Sequence, residues 1–78
     1  MRIIGLDIHR AFAEEVAWRN GKLSRLGHII MRREPLEVLA KKLSRSDIVV
    51  VEATGYAASV AAVVGSHVSR VVIANPKQ

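Results

Sequence analysis

Arg2-Ile3-Ile4-Gly5-Leu6-Asp7-Ile8-His9-Arg10 is the stretch that decides how this chain folds. Ile3 to Leu6 is an uninterrupted apolar run, which predicts a strand buried on both faces in the middle of a sheet. Asp7 then places a carboxylate at the strand's C-terminal end, with Ile8, His9 and Arg10 behind it. A charge emerging from a hydrophobic core is costly unless it is paired, hydrogen-bonded or bound to a metal. The rest of the chain must therefore supply whatever shares a site with Asp7.

Working outward, Ile48-Val49-Val50-Val51-Glu52 repeats the arrangement: a wholly apolar, β-branched run delivering a carboxylate at its end. Between the two lie signals for a meander and a helix. Ala11 to Arg19 alternates with a period of two, Phe12, Val16 and Trp18 on one face and Glu15 and Arg19 on the other, with Glu14 breaking the apolar face. Asn20-Gly21 is a two-residue hairpin signal, since both positions accept positive φ. Lys22 to Met31 reads as the returning strand with Leu23, Ile29 and Met31 on one face, and Gly27 marks a bulge or a close approach. Pro35 fits the first turn of a helix, and Leu36, Leu39, Ala40 and Leu43 form its apolar stripe. Beyond Glu52, Tyr56 to Val64 predicts a short buried helix closed by a left-handed Gly65. Val71 to Ala74 predicts a last strand, ended by Asn75-Pro76.

The expected order is strand, strand, strand, helix, strand, helix, strand in a single domain spanning 1–78. Helices alternating with buried strands imply right-handed crossovers and parallel pairing. This α/β mixed sheet resembles the ribonuclease H-like fold, in which the first strand is central and the fourth lies beside it. Neighbouring strands are ~4.8 Å apart, so carboxylates at their ends can converge on shared metal ions. Two-metal phosphoryl-transfer sites need such clustered acids.

Composition sets the outer limits. Seventy-eight residues make one small domain, which buries roughly 60–65% of its unfolded surface. Half the residues are hydrophobic and only one Trp, one Tyr and one Phe are present, so the core is aliphatic. The absence of cysteine excludes disulfides and thiolate metal sites. No apolar run is long enough to span a bilayer, and Asp7 interrupts the N-terminal one, so the expectation is a soluble cytoplasmic protein without a signal peptide. The net charge is +5, and eight of the twelve basic residues lie between Arg19 and Arg45, opposed there only by Glu34 and Glu37. Such a segment is either a solvated face or a surface for a polyanion such as nucleic acid.

Asp7 and Glu52 are thus the candidate metal ligands. Arg10, Arg25, Arg32, Arg33, Lys41 and Lys42 are candidate nucleic-acid contacts, Arg10 as a charge-assisted phosphate donor beside His9. Thr54 and Gly55 either cap the following helix or seat an anion at its N-terminus. Tyr56 is read as packing, Trp18 as core or sheet surface, and His28 and His67 as structural.

Three motifs carry a family resemblance: Ile4-Gly5-Leu6-Asp7-Ile8-His9-Arg10, Val49-Val50-Val51-Glu52-Ala53-Thr54-Gly55 and Val71-Val72-Ile73-Ala74-Asn75-Pro76. In this order they resemble the start of the DEDD transposases, RuvC-like recombinases of the insertion-sequence one-ten family, which includes the Piv-type DNA invertases. The resemblance implies that Asp7 and Glu52 are the first two catalytic acids. It also implies Mg²⁺- or Mn²⁺-dependent DNA strand cleavage and transfer, and in part of the family a guide RNA. The family's other two aspartates and its serine-bearing C-terminal domain lie further along than Gln78, and Asp47 falls at the wrong end of its strand. The expectation is therefore an N-terminal portion, catalytically incomplete alone, that self-associates as a homo-oligomer through apolar surface left uncovered. Two other readings compete: a non-catalytic basic module binding nucleic acid or another protein, and part of an actin-like or sugar-kinase ATPase. The second lacks the expected glycine and hydroxyl residue after Asp7.

Overall fold

The computed structural model describes residues 1–75, which form β1 (Ile3–His9), β2 (Phe12–Arg19), β3 (Lys22–Ile30), α1 (Arg33–Lys42), β4 (Ile48–Glu52), α2 (Ala57–Val64) and β5 (Arg70–Ala74). The element order is the one expected. The five strands make one mixed sheet in the order β3-β2-β1-β4-β5: β1 pairs antiparallel with β2 and parallel with β4, β2 pairs antiparallel with β3, and β4 pairs parallel with β5. The central place of β1, with β4 beside it, follows from the apolar runs Ile3–Leu6 and Ile48–Val51. Of the five strands these two lie deepest in the core. Pro76 lies outside the described residues.

The sheet is covered on one face only, which corrects the expectation of doubly buried strands. Ile4, Leu6, Val49 and Val51 are buried against Leu36, Leu39 and Ala40 of α1 and Val60 and Val64 of α2, while Ile3, Gly5, Ile48 and Val50 are only partly covered. The reason is topological. β3, β4 and β5 all run parallel, and both crossovers advance in the same direction across the sheet, so right-handed connections place both helices on one side.

The same geometry inverts the reading of β2. Phe12, Glu14, Val16 and Trp18 do share a face, but it is the open one; Ala13, Glu15 and Ala17 face the helices and are buried. Small alanines there let the helices approach. On β3, register slips between Glu15 and Val16 opposite the segment around Gly27, whose φ is 128°. This bulge inserts one residue and reverses the alternation. Leu23 therefore lies opposite Trp18 on the open face, whereas Ile29 and Met31 join the core, so the three do not share a face as expected. The Asn20-Gly21 turn has φ of 52° and 77°, as its residues demand. Gly65 is not left-handed: with φ −58° and ψ −35° it opens a 3₁₀ turn, Gly65–His67, that prolongs α2.

At the end of the sheet where β1 and β4 begin, Asp47 is 2% exposed and receives Arg2 in a bidentate pair, Nε to Oδ1 at 3.2 Å and Nη2 to Oδ2 at 2.8 Å. The Ser44 N–H donates to the same carboxylate at 2.8 Å, and the backbone of Asp47 bonds Ser44 and Ser69. One residue, through its side chain and backbone, thus ties together the starts of β1, β4 and β5 and the exit from α1. Asp47 lies at the wrong end for the candidate site, as its sequence position indicates, and its role is structural.

Candidate metal and nucleic-acid site

Register places the two candidate acids side by side. Leu6 and Val51 are partners in the parallel β1–β4 ladder, and Asp7 and Glu52 are the next residue on each strand. Both lie on the face opposite the buried Leu6 and Val51, and both are exposed. They rim a shallow depression of ≈ 200 Å³ whose other walls include Gly5, Val16, Val50 and Ala74. A Cβ on Gly5 would stand 3.0 Å from Val16 Cγ2, so the missing side chain keeps this floor tight and low. Strand β1 does not end at Asp7 but runs on to His9, pairing Asp7 with Glu14 and His9 with Phe12. His9 Nε2 donates to Asp7 Oδ2 at 2.9 Å.

Glu14 is the residue that sequence reasoning missed. It stands beside Asp7 on the same open face, and Arg25 Nη1 donates to its Oε2 at 3.0 Å. Its appearance as a break in the apolar face of β2 was the available signal: the break sits where an acid faces Asp7. Aromatic rings continue this row. Phe12 stacks on His9 with centroids 5.7 Å apart and meets His28 edge-on at 5.3 Å.

The basic candidates divide between two ends. Arg10, with φ 56°, forms the tight β1–β2 turn with Ala11, whose carbonyl accepts from Met31 N–H at 2.7 Å. That bond brings Arg32 and Arg33, which open α1, to the same end as Asp7 and Glu52. Arg33 Nε also donates to Glu37 at 3.1 Å. Lys41 and Lys42 lie one helix length away, in the last turn of α1, and are not brought to the acids. Arg25 shares the open face but is engaged by Glu14. Thr54 Oγ1 accepts from the Tyr56 N–H at 3.2 Å and its carbonyl from Ala57 N–H, so Thr54 shapes the entry to α2. Gly55 is exposed, and Tyr56 packs against the core.

Three groups away from Asp7 and Glu52 have displaced pKa values. The Arg2 guanidinium, hydrogen-bonded to Asp47, holds that carboxyl below its usual range and is itself raised. Burial pushes the Glu15 carboxyl up, against the pull of Lys42 and Arg2.

Among the described residues no three His, Asp or Glu side chains are grouped to hold a metal ion. What is present is a pair of adjacent carboxylates, a donor set that suits Mg²⁺, which commonly takes one or two protein carboxylates and completes its shell with water and phosphate oxygens. No helix among the described residues is long and apolar enough to cross a membrane. No protein-family model, curated protein or solved structure matches this chain.

Proposed function

We propose that this chain is the N-terminal portion of a ribonuclease H-like, DEDD-type DNA recombinase, contributing two of the acids of a divalent-metal site for strand cleavage and transfer. The observation that carries the reading is the placement of Asp7 and Glu52 one residue beyond the last paired position of two adjacent central strands, on one face. Strand order β3-β2-β1-β4-β5 supports the fold assignment.

In this reading Asp7 and Glu52 hold Mg²⁺ or Mn²⁺, which when bound would stabilise charge on the phosphate undergoing attack. Gly5 keeps the floor beneath them free of side-chain bulk. His9 orients the Asp7 carboxylate by hydrogen bond, leaving Oδ1 free of that bond for the ion. Arg10, Arg32 and Arg33, at the same end, offer charge-assisted donors to flanking phosphates. Partners are DNA, a guide RNA and further copies of the chain, with the remaining acids supplied from outside residues 1–78.

Calorimetric titration with Mn²⁺ and Mg²⁺ tests the site. The expected outcome is a weak, saturable heat lost in the double variant Asp7→Asn, Glu52→Gln with the fold retained. Equal metal binding by that variant and the wild type would overturn the assignment. A second reading, a basic nucleic-acid-binding module without catalysis, is favoured by the absence of a third metal-ligating side chain among the described residues. Salt-dependent DNA binding that ignores divalent metal and survives Asp7→Asn would select it.

A further inference from the structure

The open face of the sheet carries more than the two acids. Phe12 and Trp18, two of the chain's three aromatic residues, both stand on it, 39% and 47% exposed. Phe12 is flanked by the His9 and His28 rings, so three aromatic rings run across β1, β2 and β3 in a continuous row. These rings are not buried in a core; they form a platform, and nothing in the described residues covers it. Basic residues outnumber acidic ones in the segment that carries them. The segment from Arg10 to Arg33 holds six basic residues (Arg10, Arg19, Lys22, Arg25, Arg32 and Arg33) and two acidic ones. Of these, Arg10, Arg32 and Arg33 lie at the end of the sheet where the row of rings stands, while Arg25 on the open face is paired with Glu14.

We infer that the His9–Phe12–His28 row is a stacking site for unpaired bases of single-stranded DNA, with Arg10, Arg32 and Arg33 at the same end of the sheet meeting the phosphates. A π-face flanked by cations suits a nucleobase on a polyanionic chain, because every base offers a flat ring to stack and the backbone supplies the opposing charge. Sheet faces bearing exposed aromatics take unpaired bases in this way. Duplex DNA buries its base faces and has nothing to offer the platform. His9 belongs to both arrangements, stacking on Phe12 and bonding Asp7, so a strand seated on the rings is led toward the carboxylates. The choice of DNA over RNA rests on the recombinase reading above; the stacking chemistry does not.

The test uses the whole chain, a fluorescently labelled single-stranded oligodeoxynucleotide and anisotropy at low salt. A chelator is present throughout, so the metal site contributes nothing. Phe12→Leu, which keeps apolar bulk but removes the ring, is expected to weaken single-strand binding about tenfold, the effect of losing one stacked base. Phe12→Tyr is expected to bind as the wild type does, and a duplex of the same sequence to bind wild type and Phe12→Leu equally. Equal single-strand affinity for wild type and Phe12→Leu would overturn the stacking site, while leaving the carboxylate assignment to its own metal titration. Tighter binding of the matching oligoribonucleotide would overturn the choice of DNA. A self-associated species that sediments unchanged when the oligonucleotide is added would show the face occupied by another copy, and would overturn the proposal as well.

Discussion

Asp47, just before β4, and Asp7, within β1, belong to opposite ends of the central strand pair, and their surroundings give them opposite parts. Asp47 is enclosed and fully bonded by Arg2 and Ser44, whereas the Asp7 side chain is 53% exposed with a single histidine bond. Removing the charge from the enclosed one leaves Arg2 unpaired in a partly buried place. Asp47→Asn is expected to cost about 3 kcal/mol, the low end for breaking a buried pair, read as a lowered urea midpoint. The pair also sets an acid limit. Because the folded-state pKa of Asp47 is lowered, its stabilisation is fully present above the ordinary aspartate value of about 3.9 and is lost as pH falls through the lower folded value. The wild type is therefore expected to lose stability on acidification below about pH 4 more steeply than Asp47→Asn. Parallel pH profiles for the two proteins would contradict the assignment.

At the scale of elements, the bulge on β3 decides which side chains reach the core. Gly27 has φ 128° with open space around its Cβ position, so the penalty of adding a side chain there is conformational and not steric. Gly27→Ala is expected to cost about 1–2 kcal/mol with an unchanged denaturant slope, since the same surface is still buried. An unaffected urea midpoint would show that the strand does not depend on glycine. This bulge also explains what could be read from the residues and what could not. Gly27 announced an irregularity, but not that the alternation would reverse across it and send Leu23 and Ile29 to opposite faces. The elements themselves were legible because Pro35, Asn20-Gly21 and the apolar stripe of Leu36, Leu39 and Ala40 each act locally. Which face of β2 is buried was not, because Phe12, Val16 and Trp18 are the more apolar set, and only the side chosen by both helices settles the matter. For the site, Asp7 and Glu52 were visible at the ends of their apolar runs. Glu14 was hidden, since its neighbourhood to Asp7 depends on the two-residue turn at Arg10-Ala11.

For the whole molecule, the strand order separates what is close in the chain from what is close in space. β1 touches β2 within a tight turn, but its other edge is filled by β4, whose Ile48–Val51 pair with Ile3–Leu6. Local contacts form early and the long-range β1–β4 ladder closes later, because ordering the intervening loop costs entropy first. During synthesis the β1-β2-β3 meander emerges complete while the strand destined for the centre is still an edge. Ile4, Leu6 and Ala13 then lie on an uncovered face beside unpaired backbone, the combination that templates association between chains. A peptide ending at Met31 is therefore expected to aggregate, and one spanning residues 43–75 to suppress that aggregation when added in trans, followed by light scattering. A soluble, monomeric meander would contradict this. The central position of β1 thus makes the earliest-made of these five strands wait longest to be paired on both edges.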